Sequence, residues 1–170
     1  IMHLVSFSGH FPYRFIALLI LCITTGCSDT IKNHHVLDAS PYTTTLFGEN
    51  VLVFDASMNQ DSIQMTLEAL RQQQQYSEFG SERYALLFKP GSYELDVTVD
   101  YYVQALGLGR YPGDVVINGA VQSIASTSSN GVSNKVTTMF WRGAENLKVL
   151  PRNDEMIYWA VSQAAPYRRM

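Results

Sequence analysis

Among the 15 Asp and Glu residues of this chain, Asp96, Asp100, Asp114, Glu145, Asp154 and Glu155 are available for acid–base work. Cleaving a glycosidic bond takes two such groups, held on opposite sides of the scissile bond. Asp96 and Asp100 stand four residues apart, a spacing that puts both on one face of a strand. They are too widely separated along it for spacing alone to make them a pair. Asp154 and Glu155 follow Arg152-Asn153 in a polar loop that could reach a groove. For each of these residues a solvated turn or surface role competes with a functional one. Loop carboxylates can bind calcium, but no dense Asp-x-Asp cluster supports it here, and no cofactor or metal is expected.

The four histidines narrow the chemistry further. His3, His10, His34 and His35 all precede the part of the chain that reads as a folded body. No Ser-His-Asp or Cys-His arrangement can form within that body, and a zinc site lacks its usual ligands there. His34-His35 reads as a pair of solvated linker residues. Residues 107–113, Gly-Leu-Gly-Arg-Tyr-Pro-Gly, carry the wrong spacing for a dinucleotide fingerprint, and no P-loop lysine follows. Bends between strands explain these glycines, and Gly107 and Gly109 are expected at backbone angles that a side chain resists.

Aromatic residues offer a second kind of chemistry. Tyr101-Tyr102, Tyr111, Trp141, Tyr158, Trp159 and Tyr167 are unevenly spread. An exposed ring stacks on the CH face of a sugar through its negative π face, and the same ring can equally fill a core. Phe140 and Trp141 alternate, so one points inward and the other outward. Arg142 sits at a strand end or is paired, with Glu145 as a candidate partner, because an interior arginine without one costs several kcal/mol. Trp141, Arg142, Glu145 and Asp154 are therefore the candidate ligand contacts, with no catalytic residue assigned. Arg168-Arg169 could meet an acidic sugar or simply be solvated.

The chain has 170 residues and a net charge of -3. It carries no basic stripe, which disfavours nucleic-acid binding. Residues 11–23 form an apolar run with Arg14 as the sole cation. The run is short for a bilayer span and has the length of a signal-peptide core. Thr24-Thr25-Gly26-Cys27 follows and resembles a bacterial lipobox, although Thr24 replaces the usual leucine. That resemblance implies lipidation of Cys27, export, and contact with a membrane only through the anchor. An ordinary secretory signal cut nearby is the alternative. Cys22 and Cys27 are the only cysteines, so the body has no internal disulfide. The division expected is a lipoprotein-type signal over 1–26, a threonine-rich tether over 27–47 and a folded body over 48–170 that continues past Met170.

Strands and bends dominate that body. Val51 to Phe54 is a short β-prone run, and Asn59 or Asp61 offers a helix N-cap. Ile63, Leu67 and Leu70 predict an amphipathic helix over 61–75. Beyond it the spacing predicts strands over 86–88, 93–99, 103–106, 115–117, 120–124, 138–141, 147–150 and 157–161, with apolar centres at Leu87, Ala105, Val116, Phe140, Val149 and Ala160. Residues 123–135 read as a surface excursion. Uneven separations suit an all-β, right-handed parallel β-helix, whose corners let out loops of any length. The helix would cap its exposed first turn, and Asn118 and Asn146 could stack at bends.

Val53-Phe54-Asp55, the helix, and residues 87–93 (Leu-Phe-Lys-Pro-Gly-Ser-Tyr) together resemble the opening of the pectate-lyase-like superfamily of right-handed β-helix proteins. Residues 84–93, 107–109, 114–121, 140–147 and 159–166 resemble exported bacterial β-helix proteins often joined to discoidin-type (coagulation factor 5/8-like) modules. The wider superfamily implies a polysaccharide partner and a hydrolase or lyase whose catalytic residues sit on middle coils. A non-catalytic carbohydrate-binding or adhesin-like surface solenoid is the alternative.

Overall fold

In the computed structural model, residues 43–44, 46–124, 138–153 and 155–170 are described. Their regular elements are mostly short strands, with one α-helix and no closed barrel. The signal, Cys27 and most of the tether and of the 123–135 excursion lie outside the described residues, as does Asp154. The strands are β1 (Thr43–Thr44), β2 (Gly48–Phe54), β3 (Tyr84–Phe88), β4 (Gly91–Tyr93), β5 (Asp96–Thr98), β6 (Val103–Gly107), β7 (Val115–Asn118), β8 (Ala120–Gln122), β9 (Gly143–Glu145), β10 (Lys148–Leu150) and β11 (Tyr167–Arg168); helix α1 spans Gln60–Gln74. β1, within the stretch expected to be tether, pairs antiparallel with β2.

Every other named pairing is parallel, and the strands fall into three sheets. One runs β1-β2-β3-β6-β9-β11, the second β10-β7-β4, the third β5-β8. The chain visits these sheets in rotation: β3, β4, β5, then β6, β7, β8, then β9 and β10. A parallel bridge from Ser123 to Trp159 extends the third sheet before β11 rejoins the first. Register is kept from circuit to circuit. Leu52, Leu86, Ala105 and Ala144 lie under one another, and all four are buried. Phe54 and Phe88 stack beside them with ring centroids 5.1 Å apart, and Tyr93 meets Phe88 edge-on at 5.4 Å.

Alternation decides which residues enter this core, since successive side chains leave opposite faces of a strand. Tyr84, Leu86 and Phe88 point in while Ala85 and Leu87 are half-exposed. Val115 and Ile117 are buried and Val116 is not. The apolar centres expected at Leu87 and Val116 are therefore one residue out of phase with the true inward positions. The strand expected over 93–99 is broken at Glu94-Leu95, yet Tyr93, Leu95, Val97 and Val99 are all buried. Residues 138–141 form a corner rather than a strand, and residues 157–161 contribute only the Trp159 bridge.

The helix covers the first circuit. Asn59 caps it, its side chain accepting from the Ser62 N–H at 2.8 Å. Ile63, Leu67, Leu70 and Gln74 are its buried stripe. The open edge of β5 would otherwise leave backbone groups unpaired. Gln64 acts as a short extra strand there: its amide donates to the Asp96 carbonyl at 3.0 Å and accepts from the Asp96 N–H at 2.9 Å. Between β2 and the helix, Asp55 accepts from the Ser57 N–H and hydroxyl and from Lys89. Those bonds, the backbone one foremost, hold its carboxyl below the usual carboxylate range.

Corners bring backbones into contact. Asn146 has φ 59°, and its amide donates to the Gly107 and Gly109 carbonyls at 2.9 and 2.8 Å. A Cβ on Gly107 would lie 2.0 Å from the Asn146 carbonyl oxygen. Close approach, not an unusual backbone angle, is what Gly107 supplies. Asn118 likewise reaches the preceding circuit, donating to Ser92 and Glu94. Neither asparagine stacks on the other.

Asp96 and Asp100 do not share a face. β5 ends at Thr98, so the chain has turned before Asp100. Asp96 lies outside, paired with Arg152 at 2.9 Å. Asp100 lies inside, beside Arg142, which is 0% exposed. One guanidinium nitrogen of Arg142 donates to the Val99 carbonyl (3.0 Å), the Ser123 hydroxyl (3.1 Å) and Asp100 (3.4 Å), and the group lies 4.6 Å over the Tyr101 ring. Asp100 Oδ2 and Arg142 Nε find no partner among the described residues. Burial pushes the Asp100 carboxyl up to about 6, against the opposing pull of Arg142; burial likewise lowers the Arg142 guanidinium.

Two outcomes follow from this packing. Gly107→Ala lowers unfolding stability by about 1–3 kcal/mol, the usual cost of overfilling a packed site, whereas Gly113→Ala, with open space around it, changes it by less than about 0.5 kcal/mol; urea unfolding of both variants measures the difference. Folded Asp100 holds its proton up to about pH 6, and the unfolded carboxyl only to about pH 4. Its contribution to stability therefore falls as pH rises between those values and is level above them. Arg142→Met removes the opposing cation, so the decline extends above pH 6 and the protein loses about 3–5 kcal/mol at neutral pH. Melting temperatures from pH 4 to 8 check this, and identical profiles for variant and parent contradict it.

Candidate functional site

Two corners of successive circuits build the site. Residues 100–102 (Asp-Tyr-Tyr) lie against 140–142 (Phe-Trp-Arg), joined by the Tyr102 N–H donating to the Trp141 carbonyl at 2.7 Å. Each corner turns through one left-handed residue, Tyr102 at φ 61° and Trp141 at φ 52°. Side chains rarely adopt that conformation, and it persists only where surroundings enforce it. Here the enforcing contacts are visible. Arg142 goes inward to Asp100, and the rings form a line outward: Tyr101 on Phe140 at 5.5 Å, Phe140 on Trp141 at 5.6 Å, Trp141 on Tyr102 at 5.5 Å. Arg83 closes the line, its guanidinium 3.5 Å from the Tyr102 ring centre.

Outside this corner lies a cleft of about 440 Å³. Val51, Ala85 and Gln104, in register on β2, β3 and β6, form its floor. Asn50, Arg83, Tyr84, Tyr102 and Trp141 complete the lining. Trp141 is 51% exposed. Tyr102 is buried, and its hydroxyl donates to the Glu78 carbonyl at 2.6 Å. Among the described residues no carboxylate lines the cleft.

A second, smaller cleft of about 290 Å³ opens beside the third sheet, lined by Asp96, Gly119, Gln122, Glu155 and Tyr158 among others. It does hold two carboxylates. Asp96, however, is occupied: its Oδ1 accepts from Arg152 at 2.9 Å and from the Ala120 N–H at 3.0 Å. Gly119, at φ 146°, lets that corner close, since a Cβ there would meet the Leu95 carbonyl oxygen at 2.1 Å.

The candidate contacts thus separate. Trp141 lies at the larger cleft. Arg142, one residue on, is sealed inside with Asp100 rather than Glu145. Glu145 faces outward on β9, bonded to Arg168 of β11 at 2.5 Å. Asp154 lies outside the described residues. Among the described residues no three His, Cys, Asp or Glu side chains converge on a point. Arg83, Gln104 and Asn50 escaped sequence reasoning, because only strand register brings them beside Trp141. The paired aromatic doublets at 101–102 and 140–141 were the one available signal.

No family model matches the chain. A curated relative described as an exo-beta-1,3-glucanase, from Streptomyces sp. (strain SirexAA-E / ActE), is 42% identical over 124 residues, covering 72% of this chain and 19% of the relative. Two solved structures align with a TM-score of 0.63 at 42% identity, covering 72% of this chain and 21% of theirs: sacteLam55A from Streptomyces sp. SirexAA-E, and a single-substitution variant of it in complex with glucose. These matches correct the resemblance drawn from sequence. The similarity is to an exo-beta-1,3-glucanase, and neither pectate-lyase-like proteins nor discoidin-linked ones appear in it. The chain is similar to about one fifth of the length of the relatives it matches.

Proposed function

We propose that this chain is part of a polysaccharide hydrolase acting on β-1,3-glucan, wound as a right-handed parallel β-helix. The identity of 42% over 124 residues to an exo-beta-1,3-glucanase carries the proposal. The rotation through three parallel sheets supports the architecture. Such a winding presents long, flat outer faces, and an extended sugar chain needs an extended groove. Three of the candidate carboxylates are already engaged. Asp100 is buried beside Arg142, Asp96 is bound to Arg152 and Glu145 to Arg168.

A second reading, a non-catalytic glycan-binding solenoid, is favoured by one observation: the aromatic cleft has no carboxylate in its lining. Export through a lipid anchor at Cys27 belongs to the same proposal, supported by the apolar run over 11–23 and the small residue before the cysteine.

Incubated with β-1,3-glucan, the full-length protein releases glucose without forming unsaturated sugars. Binding without turnover favours the second reading. Unsaturated products from a polyuronate, with β-1,3-glucan untouched, overturn both. Labelled palmitate enters the parent protein in cells but not Cys27→Ala, and equal labelling of the two sinks the anchor.

A further inference from the structure

We propose that the cleft between Arg83 and Trp141 is a subsite that holds neutral hexose units of a β-linked glucan, apart from the groups that break the bond. The sugar's identity rests on the hydrolase reading above; the character of the site rests on its own geometry. Its volume, about 440 Å³, lies within the range of about 300–1,000 Å³ usual for small-molecule sites. The floor of Val51, Ala85 and Gln104 is flat because these residues are in register on parallel strands.

Trp141 is the wall. An indole that only filled space would be inside, yet this one is half in water on a left-handed residue. That backbone conformation costs about 1–3 kcal/mol, and such strain clusters at ligand sites. Its ring is held in place by contacts with Phe140 and Tyr102, while about half of the residue stays exposed at the cleft. A pyranose offers CH groups on its face and hydroxyls around its edge. The CH groups suit the negative face of the indole. The hydroxyls need neutral donors and acceptors, and the Gln104 amide and the Trp141 indole N–H have no partner among the described residues.

Charge selects between glycans. Arg83 is the cationic residue of the lining, and one nitrogen of its guanidinium is already engaged. It lies on the Tyr102 ring and donates to the Gly80 and Glu82 carbonyls at 2.8 and 2.9 Å. A polyuronate brings one carboxylate per sugar unit against this single cation, whereas a neutral glucan leaves no charge unpaired. The absence of a carboxylate from the lining marks the site as one that binds rather than cleaves.

The test is affinity electrophoresis of the full-length protein in gels containing β-1,3-glucan, β-1,4-glucan or polygalacturonate, with glucose release from β-1,3-glucan assayed separately. The parent is retarded by β-1,3-glucan. Trp141→Ala and Ala85→Trp, the first removing the platform and the second filling the cleft, each weaken retention about tenfold, the usual effect of losing an aromatic anchor. Trp141→Phe keeps most of it. Should Trp141→Ala fail to fold, Ala85→Trp, which adds bulk only on an open face, decides. Unchanged retention of the folded variants overturns the subsite even if glucose is released, as does retardation by polygalacturonate alone or by no glycan. Loss of retention in the variants of a protein that releases no glucose upholds the subsite and removes the hydrolase reading.

Discussion

From β2 onward, each described strand depends on a neighbour lying parallel and in register. Most of these strands have only three to five residues, too few to stand alone, and a parallel pair cannot be closed by a tight turn. The chain meets both constraints by passing through two other sheets before returning. Every return then places an apolar residue over the last: Leu86 over Leu52, Ala105 over Leu86, Ala144 over Ala105. A shift of one residue would turn each of these outward and bring Val53, Leu87, Leu106 and Glu145 into the core.

The site follows from the same register. Corners stack because strands stack, so two aromatic doublets 39 residues apart meet, with Tyr102 bonded to Trp141. Inside the corner, Arg142 ties Val99, Asp100 and Ser123 together across neighbouring circuits. Such an ion pair is expensive to bury, and removing one partner leaves the other charge uncompensated. It fixes where the corner turns, and hence where the indole points. The helix plays the corresponding part at the other end, Gln64 standing in for a strand on the edge of β5.

Much of this order was legible in the residues. The helix and its Asn59 cap follow from periodicity and a single side-chain preference. The inward series Tyr93, Leu95, Val97 and Val99 follows from alternation, and it survives the break at Glu94 because the bend preserves the phase. Phase was lost where apolar residues run together. In Leu86-Leu87-Phe88 and Val115-Val116-Ile117 nothing in the types says which residue faces in. The Asp100–Arg142 pair was hidden by a corner whose position depends on Tyr102 adopting a left-handed backbone. The floor of the cleft was hidden for a related reason: Val51, Ala85 and Gln104 become neighbours only once register is known. The matched relative is described as a polysaccharide hydrolase, as the sequence reading led one to expect of a relative, but it belongs to another family than the one expected, since short strands and glycine bends are shared by unrelated chemistries.

Amide hydrogen exchange on the full-length protein probes the stacking most directly. Residues 52–54, 84–88, 103–107 and 143–145 should exchange slowly and as one cooperative group, because each supplies the backbone partners of the next. Exchange of residues 103–107 as fast as that of the neighbouring bend at 108–111, with residues 84–88 still protected, would contradict parallel stacking and everything built on it.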